Sequence, residues 1–389
     1  MVTTRAITTS AHGRPDPAPS AARDVVLRFE KVSRLFGAFA AVQSIDLELQ
    51  RGEVLTLLGP SGCGKTTTLR MAIGLERADA GRISYGDLTM DHPQGGVFIP
   101  PEQREMGMVF QSYAIWPHMN VFENVAFPLR TRKVAESEIQ NKVKAFLDIV
   151  GLAGFDSRSG MNLSGGQQQR VAVARGLVGA PDVLLMDEPF SNLDAKLRDQ
   201  MRVELKELQR RLGTSILFVT HDQTEALALS DRIAVMKSGK VEQIGAPLDL
   251  YTHPQTPFVR DFLGQSLQIQ ADIHSITEDG SVQVALANGQ ILQVNGHMHL
   301  SAMRTSGPCL VTIRPEEIAI GDPSAQQAAN HIAARIRTLL FLGQHYEALV
   351  DCEGGYQFLI HLPRLSGWQE GQALSIYMPA QFLQLWDRD

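Results

Sequence analysis

A glycine-rich loop, with an apolar run before it and a helix-compatible segment after it, constrains the fold of this chain more than any other stretch. Residues 54–58 are a strand signal, and residues 67–75 are compatible with a helix. Glycines let successive backbone N–H groups turn inward around an anion, and the following helix adds its positive N-terminal end. The pattern predicts a phosphate-binding loop whose nucleotide-binding residues are Gly59, Pro60, Ser61, Gly62, Cys63, Gly64, Lys65, Thr66 and Thr67.

Two side chains at the end of this loop indicate which kind of phosphate ligand it binds. Lys65 has the reach to contact β- and γ-phosphates, and the Thr66 hydroxyl is suited to ligate Mg²⁺. The competing interpretation is a glycine-rich turn with no ligand. The strand before the loop and the helix after it favour a site for ATP and Mg²⁺.

Polar residues also follow two other apolar runs. Residues 183–187 form a buried-strand pattern that ends in the adjacent carboxylates Asp187 and Glu188, and residues 216–220 end at His221. Carboxylates at the C-terminal edge of a parallel strand are costly unless they meet a cation or move a proton. We expect Asp187 to hold Mg²⁺ through water, Glu188 to accept a proton from the attacking water, and His221 to reach the γ-phosphate. The alternative for the carboxylates is a plain surface turn.

Gln111 ends the apolar run 106–110 and is a candidate to contact the metal or the attacking water through its amide. Taken alone, a glutamine in this position is more often an ordinary polar cap. The aromatic residues that follow, Tyr113, Trp116 and Phe122, suit either exposed interface anchors or the core of a small helical subdomain. The sequence leaves that choice open.

The pentapeptide 163–167 reads Leu-Ser-Gly-Gly-Gln. Ser164 and Gln167 have the spacing of a capping box, so a helix should begin here. Gly165 and Gly166 beside the cap would leave backbone N–H groups bare for an approaching phosphate. A well-capped helix without further function explains the pentapeptide equally well.

The alternation of strands and helices up to about residue 264 predicts an open parallel sheet with its ligand at the C-terminal strand edge. We expect this α/β domain to span residues 24–264, with a helical subdomain at about 112–178. Residues 1–23, rich in Ala, Ser, Thr and Pro, are predicted to be a disordered tail.

From about residue 265 the pattern changes to short alternating segments. Hairpin signals separate these segments at Asp279-Gly280, Asn288-Gly289 and Gly354-Gly355. Residues 265–389 are therefore predicted to form a small antiparallel β domain, built of two barrel-like halves that meet near residues 321–329. It carries no catalytic constellation, which favours binding or regulation.

Charge, cysteine content and hydropathy limit the partners and the cellular compartment that we expect for this chain. The net charge of −6 is modest and not concentrated in a tail, which predicts neither a nucleic-acid partner nor an anionic membrane surface. Three widely separated cysteines without disulfide or zinc spacing, and no secretory signal, predict a cytoplasmic setting. Because no run reaches about 18 apolar residues, we expect other subunits to supply any membrane crossing.

Taken together and in this order, the motifs resemble the ATP-binding subunits of ABC transporters over about residues 25–263. The segment Leu-Ser-Gly-Gly-Gln matches the signature of that family in full. The stretches 99–118 and 221–226 look like the importer branch that serves maltose, polyamines and ferric iron. The resemblance implies a P-loop NTPase domain of the ABC type, followed by a β domain of oligonucleotide-fold type.

The resemblance also implies partners. Two copies would pair head to tail, so that Ser164, Gly165, Gly166 and Gln167 of one copy close on ATP held by the other. Asp194 would bridge the two sites, Phe36 would stack on adenine, and Gln111 would also ligate Mg²⁺. Integral membrane permease subunits would contact Gln111 and residues 112–129, and an extracytoplasmic solute-binding protein would act indirectly. The chain would lie peripherally on the cytoplasmic face of the cell membrane.

The function implied is that of the ATP-hydrolysing subunit of a solute importer. Trp116 replaces the tyrosine common in sugar importers, which weakly disfavours a sugar. The main alternative is a soluble ABC ATPase acting on ribosomes or nucleic acid, although the single set of motifs is unlike that class. An exporter subunit and an RNA-binding β domain are less favoured, the latter because a basic, aromatic-studded strand face is missing from the sequence.

Overall fold

The computed structural model describes residues 24–277, 281–300, 305–321 and 329–388. The predicted tail 1–23, the hairpin signal Asp279-Gly280 and most of the predicted loop 321–329 lie outside the described residues. Within the described ranges, no helix is both long and apolar enough to span a bilayer.

Strands and helices alternate up to Phe262. The strands are β1 Val25–Phe36, β2 Phe39–Gln50, β3 Val54–Leu58, β4 Ala80–Tyr85, β5 Leu88–His92, β6 Val97–Phe98, β7 Gly107–Val109, β8 Val183–Asp187, β9 Ser215–Thr220, β10 Arg232–Lys237 and β11 Lys240–Gly245. The helices are α1 Lys65–Ile73, α2 Val121–Thr131, α3 Glu136–Ile149, α4 Gly165–Leu177, α5 Ala195–Leu212, α6 Gln223–Leu229, α7 Pro247–Thr252 and α8 Pro257–Phe262.

The central sheet has six strands in the order β11-β10-β3-β9-β8-β7, and all of them except β11 run parallel. Every residue of β3, β8 and β9 is buried, which explains their continuous apolar sequences. Because β3, β7, β8 and β9 are parallel, their carboxyl ends share one edge of the sheet. The predicted phosphate loop, Gln111, Glu188 and His221 follow these four ends, so the topology brings them to the same edge.

Three helices form a separate layer beside this sheet. α2, α3 and α4 bury a common apolar core that includes Val121, Val125, Ile139, Val143 and Val171. α2 begins with a capping box in which Asn120 and Glu123 bond each other's backbone N–H groups. α4 begins in the same way at Ser164 and Gln167, as the spacing predicted.

A second, antiparallel sheet was not predicted. Its strand order is β2-β1-β4-β5-β6, and it packs on the other side of α1. β1 and β2 alternate buried and exposed residues, since only one face of this sheet meets the core. The hairpin between β1 and β2 places Phe36 and Phe39 near its tip.

The described residues after Leu263 form strands and one short 3₁₀ turn, as the change of pattern predicted. The strands are β12 Leu267–Ile276, β13 Val282–Leu286, β14 Ile291–Val294, β15 Met298–His299, β16 Gly307–Ile313, β17 Ala319–Gly321, β18 His331–Phe341, β19 His345–Cys352, β20 Gln357–Pro363, β21 Ala373–Tyr377 and β22 Gln384–Asp387.

These strands make two sheets around one shared apolar core, in the orders β14-β13-β12-β16-β22-β15 and β17-β21-β18-β19-β20. The prediction of two consecutive halves is wrong in one respect. The last strand, β22, returns to the first sheet, where it pairs antiparallel with β16 and parallel with β15. On this strand Leu385 belongs to the shared apolar core, while the neighbouring Trp386 is buried on the opposite face, against Arg260 and His299.

Two arginine–aromatic stacks join the β domain to the end of the α/β region. The guanidinium of Arg260 on α8 lies 4.8 Å from the ring centre of Trp386, and that of Arg314 lies 4.3 Å from the ring of Tyr251 on α7. Arg314 also donates to the carbonyl of Gln265 at 3.1 Å. The junction is thus built from buried cations on rings and carbonyls.

Candidate functional site

The phosphate loop is held in shape by close backbone approaches. A Cβ at Gly59 would lie 2.3 Å from the carbonyl oxygen of Met236, and one at Gly64 would lie 2.3 Å from that of Ala41. Gly64 also has φ +104°, which side-chain-bearing residues rarely adopt. Glycine is therefore required at both positions before any ligand is considered.

Lys65 is buried at the start of α1 and closes the loop on itself. Its ammonium group donates to the carbonyls of Gly59 at 2.8 Å and Pro60 at 3.0 Å. A buried ammonium among backbone carbonyls, at the positive end of a nine-residue helix, makes this spot favourable for an anion.

Thr66 and Asp187 connect the loop to the end of β8. The Thr66 hydroxyl donates to Asp187 Oδ1 at 2.9 Å. Burial raises the pKa of Asp187, while the hydrogen bond from Thr66 and the charges of Arg70 and Lys65 work in the opposite direction. Hydroxyl and carboxylate oxygens are the donors that Mg²⁺ prefers, so this pair fits the predicted metal role.

Glu188 lies at the centre of the remaining site residues. Its Oε2 is 3.0 Å from His221 Nδ1 and 3.4 Å from Gln111 Nε2. The Glu188 side chain is 19% exposed and that of His221 is 56% exposed, so the carboxylate is sheltered and the imidazole faces solvent. The three side chains predicted from separate strand ends thus lie within reach of one another.

The backbone of Glu188 is unusual. Its φ is +45°, a region that costs a non-glycine residue about 1–3 kcal/mol. The Glu188 N–H donates to the carbonyl of Val219 on β9 at 2.9 Å, and its own carbonyl accepts from Ser191. These bonds hold the strained turn and direct the carboxylate towards Gln111 and His221.

Two residues that support Gln111 were not identified from the sequence. Asn192 donates to the Gln111 carbonyl at 2.9 Å. Arg175, buried on α4, donates to the carbonyls of Tyr113 and Ala114, both at 2.6 Å. Arg175 interrupts an otherwise apolar helix face, and a charge in that position needs partners, which is the signal that could have revealed it.

The structure separates the alternatives left open for the aromatic stretch. Tyr113 is buried in the core beside β7 and β8. Trp116 is half-buried, and its ring centre lies 4.4 Å from that of the exposed Phe127, with the two rings tilted by 45°. The Arg175 guanidinium lies 4.8 Å from the Trp116 ring. Phe122 packs partly against the helical core. Trp116 and Phe127 therefore contribute an accessible aromatic surface, while Tyr113 has a core role.

The predicted signature residues cap α4. Gln167 N–H donates to Ser164 Oγ at 3.4 Å, and Ser164 N–H donates to Gln167 Oε1 at 3.0 Å. A Cβ at Gly166 would lie 2.8 Å from Leu197, so this glycine also permits α4 to pack closely on α5. Asp194 caps α5 by accepting from Leu197 N–H at 3.0 Å.

Phe36 is 45% exposed and lies under the Arg34 guanidinium at 4.7 Å. A pocket beside the phosphate loop is lined by Phe39, three residues further on, together with Gln43, Lys237 and Phe258. Phe36 as the adenine platform stays a prediction. The three cysteines are free and buried, and burial raises the pKa of Cys63.

Comparisons with known proteins identify the family. A model described as ABC transporter matches residues 42–191, and one described as TOBE domain matches residues 311–386. The Fe(3+) ions import ATP-binding protein FbpC of Agrobacterium fabrum is 44% identical over 85% of this chain and 89% of that protein. The chain belongs to the ABC transporter family.

Other relatives agree on the role and differ in solute. The trehalose/maltose import ATP-binding protein MalK of Thermococcus litoralis is 50% identical over 66% of this ABC transporter chain and 68% of its own. The spermidine/putrescine import ATP-binding protein PotA of Photobacterium profundum is 41% identical over 88% of this chain and 90% of that protein. Among solved structures, cbiO1 of Clostridium perfringens, part of the ABC transporter complex cbiONQ, has a TM-score of 0.53 and 31% identity. The superposed part covers 58% of this chain and 90% of the cbiO1 chain.

These findings confirm the predicted ABC ATPase fold followed by an all-β domain, and they confirm ATP binding. They also confirm the ATP-hydrolysing importer subunit over the soluble ATPase of the main alternative.

Proposed function

We propose that this ABC transporter chain binds ATP with Mg²⁺ at the edge where β3, β7, β8 and β9 end, and that hydrolysis there drives solute import. The observation that carries the proposal is the convergence of Lys65, Thr66, Asp187 and Glu188 on one sheet edge from distant parts of the chain. An anion-binding loop, hard oxygen ligands and a sheltered carboxylate are what phosphoryl transfer to water requires.

Each side chain has a role that its position supports. Lys65 and the loop N–H groups bind the β- and γ-phosphates, and Mg²⁺, when bound, would neutralise part of their negative charge. Thr66 and Asp187 would hold the metal, with Gln111 as a further oxygen donor. Glu188 accepts the proton of the attacking water, and His221, 3.0 Å from it, positions the carboxylate and the γ-phosphate.

A second copy of the chain completes the site. The N-terminus of α4 is exposed at Ser164 and Gly165. The capping box uses the N–H groups of Ser164 and Gln167 but not that of Gly165, which it leaves for an anion from outside the chain. We infer a head-to-tail homodimer in which Ser164, Gly165, Gly166 and Gln167 close on the partner's ATP. Asp194, exposed at the start of α5, lies at this interface, and Phe36 stacks on the adenine.

The chain works peripherally, beside membrane permease subunits that form the path for the solute. We assign their contact to the surface around Trp116 and Phe127, because it is aromatic, accessible and tied to Gln111 through a short segment. We infer that the chain lies on the cytoplasmic face, with an extracytoplasmic solute-binding protein acting indirectly. The β domain, residues 265–389, is assigned a regulatory role. The relatives import ferric iron, trehalose or maltose, and spermidine or putrescine, so the solute is set by the other subunits.

The decisive experiment replaces Glu188 with Gln. Glu188→Gln keeps the shape of the side chain and removes the proton acceptor, so ATP binding should persist while turnover falls by roughly 100-fold or more. The variant should also form a dimer with Mg²⁺ and ATP, seen by light scattering on a sizing column. Glu207→Gln, on an exposed position of α5, is the control and should hydrolyse ATP normally. Near-normal hydrolysis by Glu188→Gln would remove Glu188 from the base role.

A second substitution tests the shared site. Ser164→Arg should block hydrolysis without weakening ATP binding to the isolated monomer, because the bulk is added to a surface that only the partner's nucleotide meets. ATP binding is measured by equilibrium titration under conditions where the protein is monomeric. Equal loss of binding and hydrolysis would contradict a site completed in trans.

A further inference from the structure

A cluster of metal-ligand side chains lies in the β domain, in a part of the chain that the ATP site does not use. His345 and Glu347 are two residues apart on β19, and residues at this spacing point to the same face of a strand. His361 on β20 is directly opposite Glu347 in the antiparallel register. Sequence spacing alone does not reveal the group, because strand pairing creates it.

The three side chains are already close enough to share an ion. One ligand atom from each, two imidazole nitrogens and a carboxylate oxygen, lie within 4.8 Å of one another. Ligand atoms around tetrahedral zinc are about 3.3 Å apart, since the Zn–N and Zn–O bonds are about 2.0–2.2 Å long. Small side-chain rotations therefore suffice to bring all three into contact with one ion.

The cluster is poorly satisfied by its own contacts. His345 Nε2 is buried and has no hydrogen-bond partner among the described residues. His361 Nε2 and Glu347 Oε1 are 4.0 Å apart, too far for a hydrogen bond. The ring centres of His345 and His361 lie 4.4 Å apart with the rings tilted by 46°, so both imidazoles are close to each other as well as to the carboxylate. A buried ring nitrogen without a partner points to a ligand that binds it.

We propose that His345, Glu347 and His361 bind a divalent first-row transition-metal ion. Two imidazoles and one carboxylate suit zinc, iron(II) or cobalt(II), and they leave a coordination position open for water or another ligand. Mg²⁺ and Ca²⁺ prefer all-oxygen sites, so the Mg²⁺ that accompanies ATP does not compete. The ion would link β19 to β20 across the solvent-facing side of their sheet.

The test is a calorimetric titration of the full chain with zinc chloride, in excess Mg²⁺ and without nucleotide. The wild type should bind one equivalent at this site. His345→Ala, His361→Ala and Glu347→Gln should each weaken zinc binding at least about tenfold. Removing a residue that only hydrogen-bonds to a metal ligand already costs about 10–100-fold in metal affinity, and these variants remove a ligand itself. His274→Ala, which removes an exposed histidine of the other sheet, is the matched control and should bind normally.

Cobalt(II) provides an independent readout. The bound ion should give a visible absorption band in the wild type that is lost in Glu347→Gln. This substitution leaves the side-chain size unchanged, so loss of the band reports loss of the ligand and not of the fold. Absence of stoichiometric zinc binding by the wild type would overturn the proposal. So would unchanged affinity in the ligand variants, which would place the ion elsewhere.

Discussion

Replacing Arg175 with Met should release the segment that follows Gln111 while leaving the fold intact. Arg175 is buried on α4, and its guanidinium donates to the carbonyls of Tyr113 and Ala114, each at 2.6 Å. Burial lowers the pKa of Arg175 to about 10. The side chain thus ties α4, the helix that begins at Ser164, to the predicted contact region for the membrane subunits.

The energies of the contacts of Arg175 indicate that the substitution costs only a small part of the global stability. Two hydrogen bonds from a charged donor contribute about 3–6 kcal/mol in total. The fall of the pKa from 12.5 to about 10 offsets about 3 kcal/mol of this, because the charge is held in an apolar setting. The net loss of global stability is therefore at most about 3 kcal/mol.

The segment itself stores strain of similar size. Tyr113 and Ala114 have φ values of +60° and +48°, which cost about 2–6 kcal/mol together. Removing Arg175 takes away the two charge-assisted hydrogen bonds that balance this strain at Tyr113 and Ala114. If about 3 kcal/mol of local stability is lost, backbone amides of the segment should exchange roughly 100-fold faster.

Native-state hydrogen exchange measured by mass spectrometry checks this. The informative amides are those of Tyr113, bonded to Phe110, and Trp116, bonded to Asn124. Arg170→Met is the matched control, since it removes a half-buried arginine of the same helix that bonds Glu204 and Val150 instead. Equal exchange in the Arg175 and Arg170 variants, with both proteins folded, would refute the reasoning.

Three further outcomes are expected. Gly166→Ala should have a lower Tm than Gly165→Ala, because a Cβ at position 166 would lie 2.8 Å from the Leu197 side chain and force it to shift, whereas a Cβ at position 165 meets only an ordinary 3.5 Å contact. Equal Tm values of the two variants would contradict this. Burial raises the pKa of Asp187 above its usual value of 3.8, so the folded protein binds the carboxyl proton more tightly than the unfolded chain does. The stability of the fold therefore falls as the pH rises from 3.8 through the raised pKa of the folded state. Asp187→Asn should therefore raise Tm at pH 7 without nucleotide, and a lower Tm would count against that sign. The three buried, free cysteines should react with a thiol reagent only after denaturation, and fast reaction of the native protein would argue against their burial.

The sequence was most informative where a motif and a strand end coincide. Lys65, Glu188 and His221 were each placed after a buried apolar run, and the parallel order of those strands brings them to one edge. Local signals were sufficient here, because burial dictates continuous apolar strands and capping dictates where α4 begins.

The parts that could not be predicted depend on contacts between distant residues. Arg175 acquires its role from carbonyls about sixty residues earlier, and the sheet of β1, β2 and β4–β6 is fixed by pairing that no short pattern encodes. The return of β22 to the first sheet of the β domain is likewise a matter of register with β16. The histidines of β19 and β20 meet only through such pairing.

The reciprocal stacks at the domain junction limit how this protein can be recombined with its relatives. Arg260 of the ATP-binding part covers Trp386 of the β part, while Arg314 of the β part covers Tyr251 of the ATP-binding part. A chimera cut between the two parts must therefore obtain a matching ring and a matching guanidinium from the donor protein. Without both, the graft would bury an arginine that has lost its aromatic partner.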